Sequence, residues 1–357
     1  MDLFANQLQK NKSIATWSQL LGILNDKDSI GAFINRYGMC SFDKEGKKPP
    51  GIIFCDDDNE HFGVWVGNVF NPCIYRGENK VYSSFTPSID RGDFIKGTFN
   101  GCAEIIKKMM FIKAFKRTPY YTEGKEISAF GLRLKFDFEA VAQHYCYPTR
   151  YIDVTHSEEV ALFFAYTYFE NGSYHPIVDF INYSLVIYRA DIRFLHSSDP
   201  SIMKKISFQV LKRPALQGAL AMECAGEIDL KQYFQRQDLP KDPIVSKWIY
   251  ERFGEGELLW PDKKYDCVYQ LADFIQTSIV LDKATCEEYC SIYKCDKDKV
   301  YKILNEQGYR IEELKNIIGV EDCDWNCFCN TCKRDMDKRV YKLLRELSWI
   351  PVSPSRY

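Results

Sequence analysis

The stretch Gln143-His144-Tyr145-Cys146-Tyr147-Pro148-Thr149-Arg150-Tyr151-Ile152-Asp153-Val154-Thr155-His156-Ser157-Glu158-Glu159-Val160-Ala161-Leu162-Phe163-Phe164-Ala165 changes its periodicity part-way along. Pro148 pushes the residue before it out of the α region. Tyr151 to Thr155 then reads as a strand. Ser157 is a suitable N-cap, because its hydroxyl can satisfy an unpaired amide in a following helical turn. Ala161, Phe164, Ala165 and Tyr168 fall on one face at helical spacing, and Phe163 and Phe164 read as core. A strand running into a helix through a capped turn belongs to a mixed fold.

Working upstream, Cys73-Ile74-Tyr75-Arg76 reads as a short strand ending at Gly77, and Ala103 to Phe115 as a helix. Gly51 to Phe54 and Phe62 to Val66 read as strands around the acidic turn Asp56-Asp57-Asp58-Asn59, a solvated hairpin turn rather than a metal loop. Trp17, Leu20, Leu21 and Leu24 predict an N-terminal helix capped by Ser13 or Thr16. Downstream, Leu185 to Tyr188 is an apolar run expected in a buried strand, with further strands at Ile206 to Leu211 and Ala219 to Met222.

Beyond about residue 275 strand signals stop and helical periods take over. These are Val300, Ile303 and Leu304, then Ile311, Leu314, Ile317 and Ile318, then Met336, Val340, Leu343, Leu344 and Leu347. The expected layout is α+β: a body over 1–275, which includes the N-terminal helix and hairpin, and a helical, Cys-rich C-terminal region over 276–357.

A chain of 357 residues with 46% hydrophobic content can bury a sizeable core. Its net charge of −2 supplies no global field for nucleic acid or anionic lipid. The N-terminus lacks a signal-peptide core, and no apolar run approaches the ~18 residues of a membrane span. The expectation is a soluble, cytoplasmic protein whose 14 cysteines are thiols or metal ligands rather than disulfides. Cys323, Cys327, Cys329 and Cys332 are candidate ligands of a structural zinc, set against reduced thiols near a helix start. The basic run from Lys333 to Arg345 reads as a solvated helix face.

Four pieces carry a resemblance. Tyr75-Arg76-Gly77-Glu78 with Pro87-Ser88-Ile89-Asp90-Arg91 opens it, and the long stretch from Gln143 to Ala165 is its largest block. Arg213-Pro214-Ala215-Leu216-Gln217-Gly218 and Leu259-Trp260-Pro261-Asp262 close it. Together they resemble the FRG domain, over roughly residues 15 to 275. Cys146 stands where that family usually has glycine, a position at which a tight turn would be altered.

The arrangement also resembles the ADP-ribosyltransferase fold of the arginine–serine–glutamate type, which implies a split β-sheet body with helical insertions. It implies Arg76 as the first element, Thr155 in the second, and Gln217 or Glu223 as the third. NAD would be the substrate. Arg76 would clamp its phosphate or ribose oxygens, since a guanidinium fork binds them bidentately. Tyr75, Gly77, Glu78, His144, Tyr145, Thr149, Arg150 and Asp153 are the accompanying cofactor-binding candidates, and Tyr145 or Tyr82 could stack on a base. Each has a plainer reading; Arg76 could form a buried ion pair with Asp153, and His144 could simply be hydrogen-bonded into the core. The implied protein is an NAD-dependent effector, a toxin or phage-defence protein, acting on an unknown macromolecular acceptor and held by a restraining partner. The alternatives are a nucleotide- or phosphate-sensing module without turnover and an NAD glycohydrolase. Binding of nucleic acid through the basic tail is a further, unsupported option.

Overall fold

The computed structural model describes residues 39–41, 51–55, 61–66, 73–91, 101–126, 128–129, 132–134, 136–191, 195, 203–204, 211–224, 229–346 and 348–350. The expected N-terminal helix with Trp17, the acidic turn at 56–59 and most of the strand expected at Ile206 to Leu211 lie outside these residues.

The chain begins with β1 (Met39–Ser41), β2 (Gly51–Cys55), β3 (His61–Val66) and β4 (Cys73–Glu78), followed by α1 (Cys102–Phe115) and α2 (Pro119–Thr122). Next come β5 (Ser128–Ala129), β6 (Leu132–Leu134), α3 (Phe138–His144), β7 (Tyr151–Thr155) and α4 (Glu158–Tyr166). Then follow β8 (Thr167–Glu170), β9 (Ser173–Pro176), β10 (Val186–Asp191), β11 (Met203–Lys204), α5 (Lys212–Gln217), β12 (Ala219–Glu223) and β13 (Gln235–Asp238). The last stretch holds α6 (Pro243–Arg252), α7 (Cys267–Thr277), β14 (Val280–Asp282), α8 (Lys283–Tyr293) and α9 (Lys297–Glu306). It closes with β15 (Arg310–Glu312), α10 (Asp322–Glu346) and β16 (Ser348–Ile350).

The fold is mixed α and β. One six-stranded sheet has the order β11-β12-β7-β4-β10-β13, and every pairing in it is antiparallel. Its pairing is uneven. β4 and β10 exchange six residue pairs, from Val186↔Glu78 to Asp191↔Cys73. β7 and β12 exchange five, from Ala219↔Thr155 to Glu223↔Tyr151. Between them β4 meets β7 at Tyr75↔Thr155 alone. The sheet therefore opens into a fork, with β4 on one prong and β7 on the other. A second sheet has the order β16-β1-β2-β3-β6-β5, and the expected hairpin of β2 and β3 pairs within it from Gly51↔Val66 to Cys55↔Phe62.

Ser157 caps α4 as its position predicts, its hydroxyl oxygen accepting from Val160 N at 3.3 Å. The helix is shorter than the apolar spacing suggested. Tyr168 lies in β8, because Thr167 turns extended (φ −123°, ψ 162°) and its hydroxyl donates back to Phe163 O at 2.7 Å. The C-terminal region also departs from the expected helices. Ile311 sits in β15, which pairs in parallel with β14, and Leu314, Ile317 and Ile318 follow in irregular chain outside any helix. Gly308 at φ +86° ends α9, and Ile317 and Gly319 adopt φ of 66° and 71°, which no helix allows.

One core unites α1 with α7, α8, α9 and α10; Ile106, Phe111, Phe115, Leu271, Ile275 and Leu304 are all buried in it. A smaller cluster forms where α4 meets α6, around Phe163, Tyr166 and Ile249. Among the described residues no helix is long and apolar enough to cross a membrane.

Candidate functional site

Successive residues of a strand point to opposite faces, and β4 uses both. Tyr75 packs toward Ala161 of α4. Between them the backbones nearly touch, for a Cβ on Gly77 would lie 1.7 Å from the Ala161 carbonyl oxygen. Only glycine permits that approach. On the other face Arg76 and Glu78 lie side by side.

The fork between β4 and β7 encloses a cavity of about 430 Å³. Arg76 spans it: Nε donates to Glu78 Oε1 at 2.8 Å and Nη1 donates to the main-chain oxygen of Asp153 at 2.8 Å. The guanidinium carbon lies 5.3 Å from the Phe85 ring centre. The plainer reading of Arg76, an ion pair with the Asp153 carboxylate, does not hold. The paired carboxylate is Glu78, and Asp153 contributes its carbonyl because β7 has diverged and its side chain turns outward, 52% exposed.

His144 lies behind Asp153, its Nε2 3.8 Å from Asp153 Oδ1. Burial drives its pKa below the ordinary histidine value, against the opposing pull of Asp153 and Gln217, so the ring is neutral at pH 7. Two of the residues that line the cavity, Glu78 and His144, each hold a buried polar atom, Oε2 and Nε2, with no hydrogen-bond partner among the described residues. Buried polar atoms are seldom left so.

The far wall is stitched by backbone contacts. Thr155 Oγ1 donates to Gln217 O at 2.7 Å and accepts from Ser157 N at 3.0 Å. Gln217 Nε2 donates to Leu259 O at 3.0 Å. Gly218, at φ +52°, lets the chain turn over the His156 ring, whose pKa burial lowers to about 4.

Of the residues singled out from sequence, Tyr75, Arg76, Gly77 and Glu78 line the cavity, with Tyr82 at its rim. His144, Asp153, Thr155 and Gln217 line the opposite side. Glu223 does not; it ends β12 opposite Tyr151. Tyr145 is buried elsewhere, its hydroxyl donating to the Asp266 carboxylate at 3.2 Å. Thr149 is buried with its hydroxyl on Gln143 Oε1, and Arg150 is exposed outside the cavity. Phe164, read as core, faces the cavity, whereas Phe163 is fully buried. Sequence reasoning gave no role to Asn79, Arg91, Phe169, Tyr174 and Trp260, which also line the cavity. Arg91 and Trp260 did stand inside the quoted motifs.

Residues 71–172 match the FRG domain. No curated protein and no solved structure shows significant similarity to the chain. The matched FRG segment runs from the start of β4 past the end of β8, so it supplies Arg76 and the β7–α4 turn. Gln217 and Trp260, which close the cavity, come from beyond it. Within the FRG segment Cys146 adopts φ 68°, the left-handed conformation that glycine takes without strain.

Behind the cavity, Arg213 is fully buried. Its guanidinium carbon lies 3.5 Å from the Trp260 ring centre and 3.6 Å from that of Tyr269. Nη1 donates to His144 O at 3.2 Å, while Nε and Nη2 have no partner among the described residues. A desolvated cation–π contact is worth roughly 2 kcal/mol, yet an ion this deep has lost its hydration. Apolar groups of similar volume often replace such ions without loss. Arg213→Met is therefore expected to melt within about 1 kcal/mol of wild type, and Arg213→Ala to lose about 3 kcal/mol through the cavity it leaves. Equal losses in the two thermal melts would mean that the charge itself holds the site together.

The four late cysteines share the single helix α10, and they point different ways. Cys332 is buried in the main core, whereas Cys323 and Cys327 are exposed along a shallow groove. Among the described residues no three His, Cys, Asp or Glu side chains gather as a metal would need.

Proposed function

We propose that the fork binds NAD as a substrate and transfers its ADP-ribosyl group. The observation that carries this reading is the meeting of Arg76, Thr155 and Gln217 on one cavity across a split sheet. Its volume, about 430 Å³, falls in the range of small-molecule sites, roughly 300–1,000 Å³. Arg76 and Arg91 supply positive charge for a pyrophosphate, and Phe164, Phe169, Tyr174 and Trp260 supply flat surfaces for the bases. In the reaction the bond from ribose C1′ to nicotinamide breaks, and its electron pair leaves with the nicotinamide. An acceptor hydroxyl, amine, thiol or water bonds to C1′ and sheds its proton to solvent.

The second reading, a binding module without turnover, is favoured by one contact. Gln217 spends its amide on Leu259 O and carries no charge with which to stabilise a ribosyl cation. Incubating the protein with NAD labelled in the adenylate half, in cell lysate, separates the two. Release of nicotinamide with label on protein or nucleic acid is the expected result. Free ADP-ribose alone would identify water as the acceptor. Saturable NAD binding with no nicotinamide released would establish the binding module in its place.

A further inference from the structure

Resting on the NAD reading, we infer that Glu78 is the catalytic carboxylate of this site. A transfer through a ribosyl cation gains most from a fixed negative charge near the ring carbon. Neither residue at the implied third position supplies one here. Gln217 is neutral and bound to Leu259 O, and Glu223 lies outside the cavity. Glu78 is on the wall itself, two residues after Arg76 on the same face of β4.

Its two oxygens are treated differently. Oε1 accepts from Arg76 Nε at 2.8 Å, which fixes the carboxylate in one orientation. Oε2 is buried with no partner among the described residues, in a side chain only 4% exposed. A buried carboxylate oxygen left unsatisfied costs about 1–3 kcal/mol or more, so a purely structural ion pair would be expected to engage both oxygens. An unsatisfied acceptor on a residue that lines the cavity calls for a ligand that donates once the side chain turns to meet it, and a ribose hydroxyl is such a donor. Holding that hydroxyl, Glu78 places its charge beside the ring as positive charge grows on C1′ and O4′. The bonds broken and made remain those of the transfer, and Glu78 forms no bond to the sugar.

The alternative is that Glu78 serves only to position Arg76, and kinetics separate the two roles. Glu78→Gln keeps an oxygen for Arg76 Nε and removes the charge. Nicotinamide release from NAD, with water or lysate as acceptor, is followed for wild type, Glu78→Gln, Glu78→Asp and Gln217→Glu. NAD binding is titrated in parallel. The inference expects Glu78→Gln to bind NAD within about 3-fold of wild type but to lose about 100-fold or more in kcat. Glu78→Asp should recover at least 10-fold of that loss, and it keeps the test open should Glu78→Gln fold poorly. A Glu78→Gln enzyme with unchanged kcat, or one whose loss lies wholly in KM, overturns the role of Glu78 while leaving the NAD reading intact. No nicotinamide from wild type overturns both.

Discussion

Replacing Gly77 with alanine is expected to destabilise the protein by about 4 kcal/mol or more, a loss that few single methyl groups cause. The added Cβ would meet Ala161 O at 1.7 Å, Ala161 C at 2.7 Å and Ala165 N at 3.0 Å. All three are backbone atoms of α4, so no side chain can rotate out of the way. Relief requires α4 to lift off β4, which would expose Ala161 and Ile187 and loosen the strand that carries Arg76 and Glu78. Gly172 is the control. It has φ +84° but nothing within 4 Å of a built Cβ, so alanine there pays only backbone strain, roughly 1–2 kcal/mol. Urea unfolding of both variants, read at the midpoint with the slope held in view, tests the contrast. A Gly77→Ala protein as stable as Gly172→Ala would mean that α4 and β4 do not touch as described.

The same residues show how far the sequence could be read. Tyr151 to Thr155, the cap at Ser157 and the apolar face after it are local, and local signals decide them. The strand, the cap and the helix all form where expected. The end of α4 was not legible, because Tyr168 continues the helical period while Thr167 breaks it with a hydroxyl bonded to Phe163 O. Ile311 to Ile318 failed for a different reason. Short apolar runs fit a helix or a strand equally well, and pairing with β14, some thirty residues earlier, selects the strand.

At the site, the motif residues Arg76, His144, Asp153 and Gln217 pointed to one place and the cavity gathers them. What they do there depended on register. The single pairing at Tyr75↔Thr155 opens the fork, sends the Asp153 carboxylate outward and hands Arg76 to Glu78 instead. No spacing in the sequence encodes where two strands part. The aromatic walls from Phe169, Tyr174 and Trp260 likewise come together only through the tertiary fold.

Arg76 should carry the largest functional effect, and its stability effect can be separated from it. Arg76→Ala removes a hydrogen bond from β4 to β7 beyond the pairing at Tyr75↔Thr155 and strands the Glu78 carboxylate in a buried position. Breaking a buried pair on one side costs about 3–5 kcal/mol. With Arg76 itself 17% exposed, water can reach the gap, and a loss near the lower end, about 3 kcal/mol, is expected. The double variant Arg76→Ala/Glu78→Gln should regain at least half of that loss, because the stranded charge is gone. Neither variant should release nicotinamide at a measurable rate or bind NAD within 100-fold of wild type. Arg76→Lys is the sharper probe. It keeps the charge, but one ammonium cannot present the planar fork that reaches Glu78 Oε1 and Asp153 O together. If the fork matters, Arg76→Lys should stay folded and still lose at least 10-fold in NAD affinity. If Arg76→Ala/Glu78→Gln regains its stability and binds NAD like wild type, Arg76 is a strut between two strands and the ligand must be sought elsewhere.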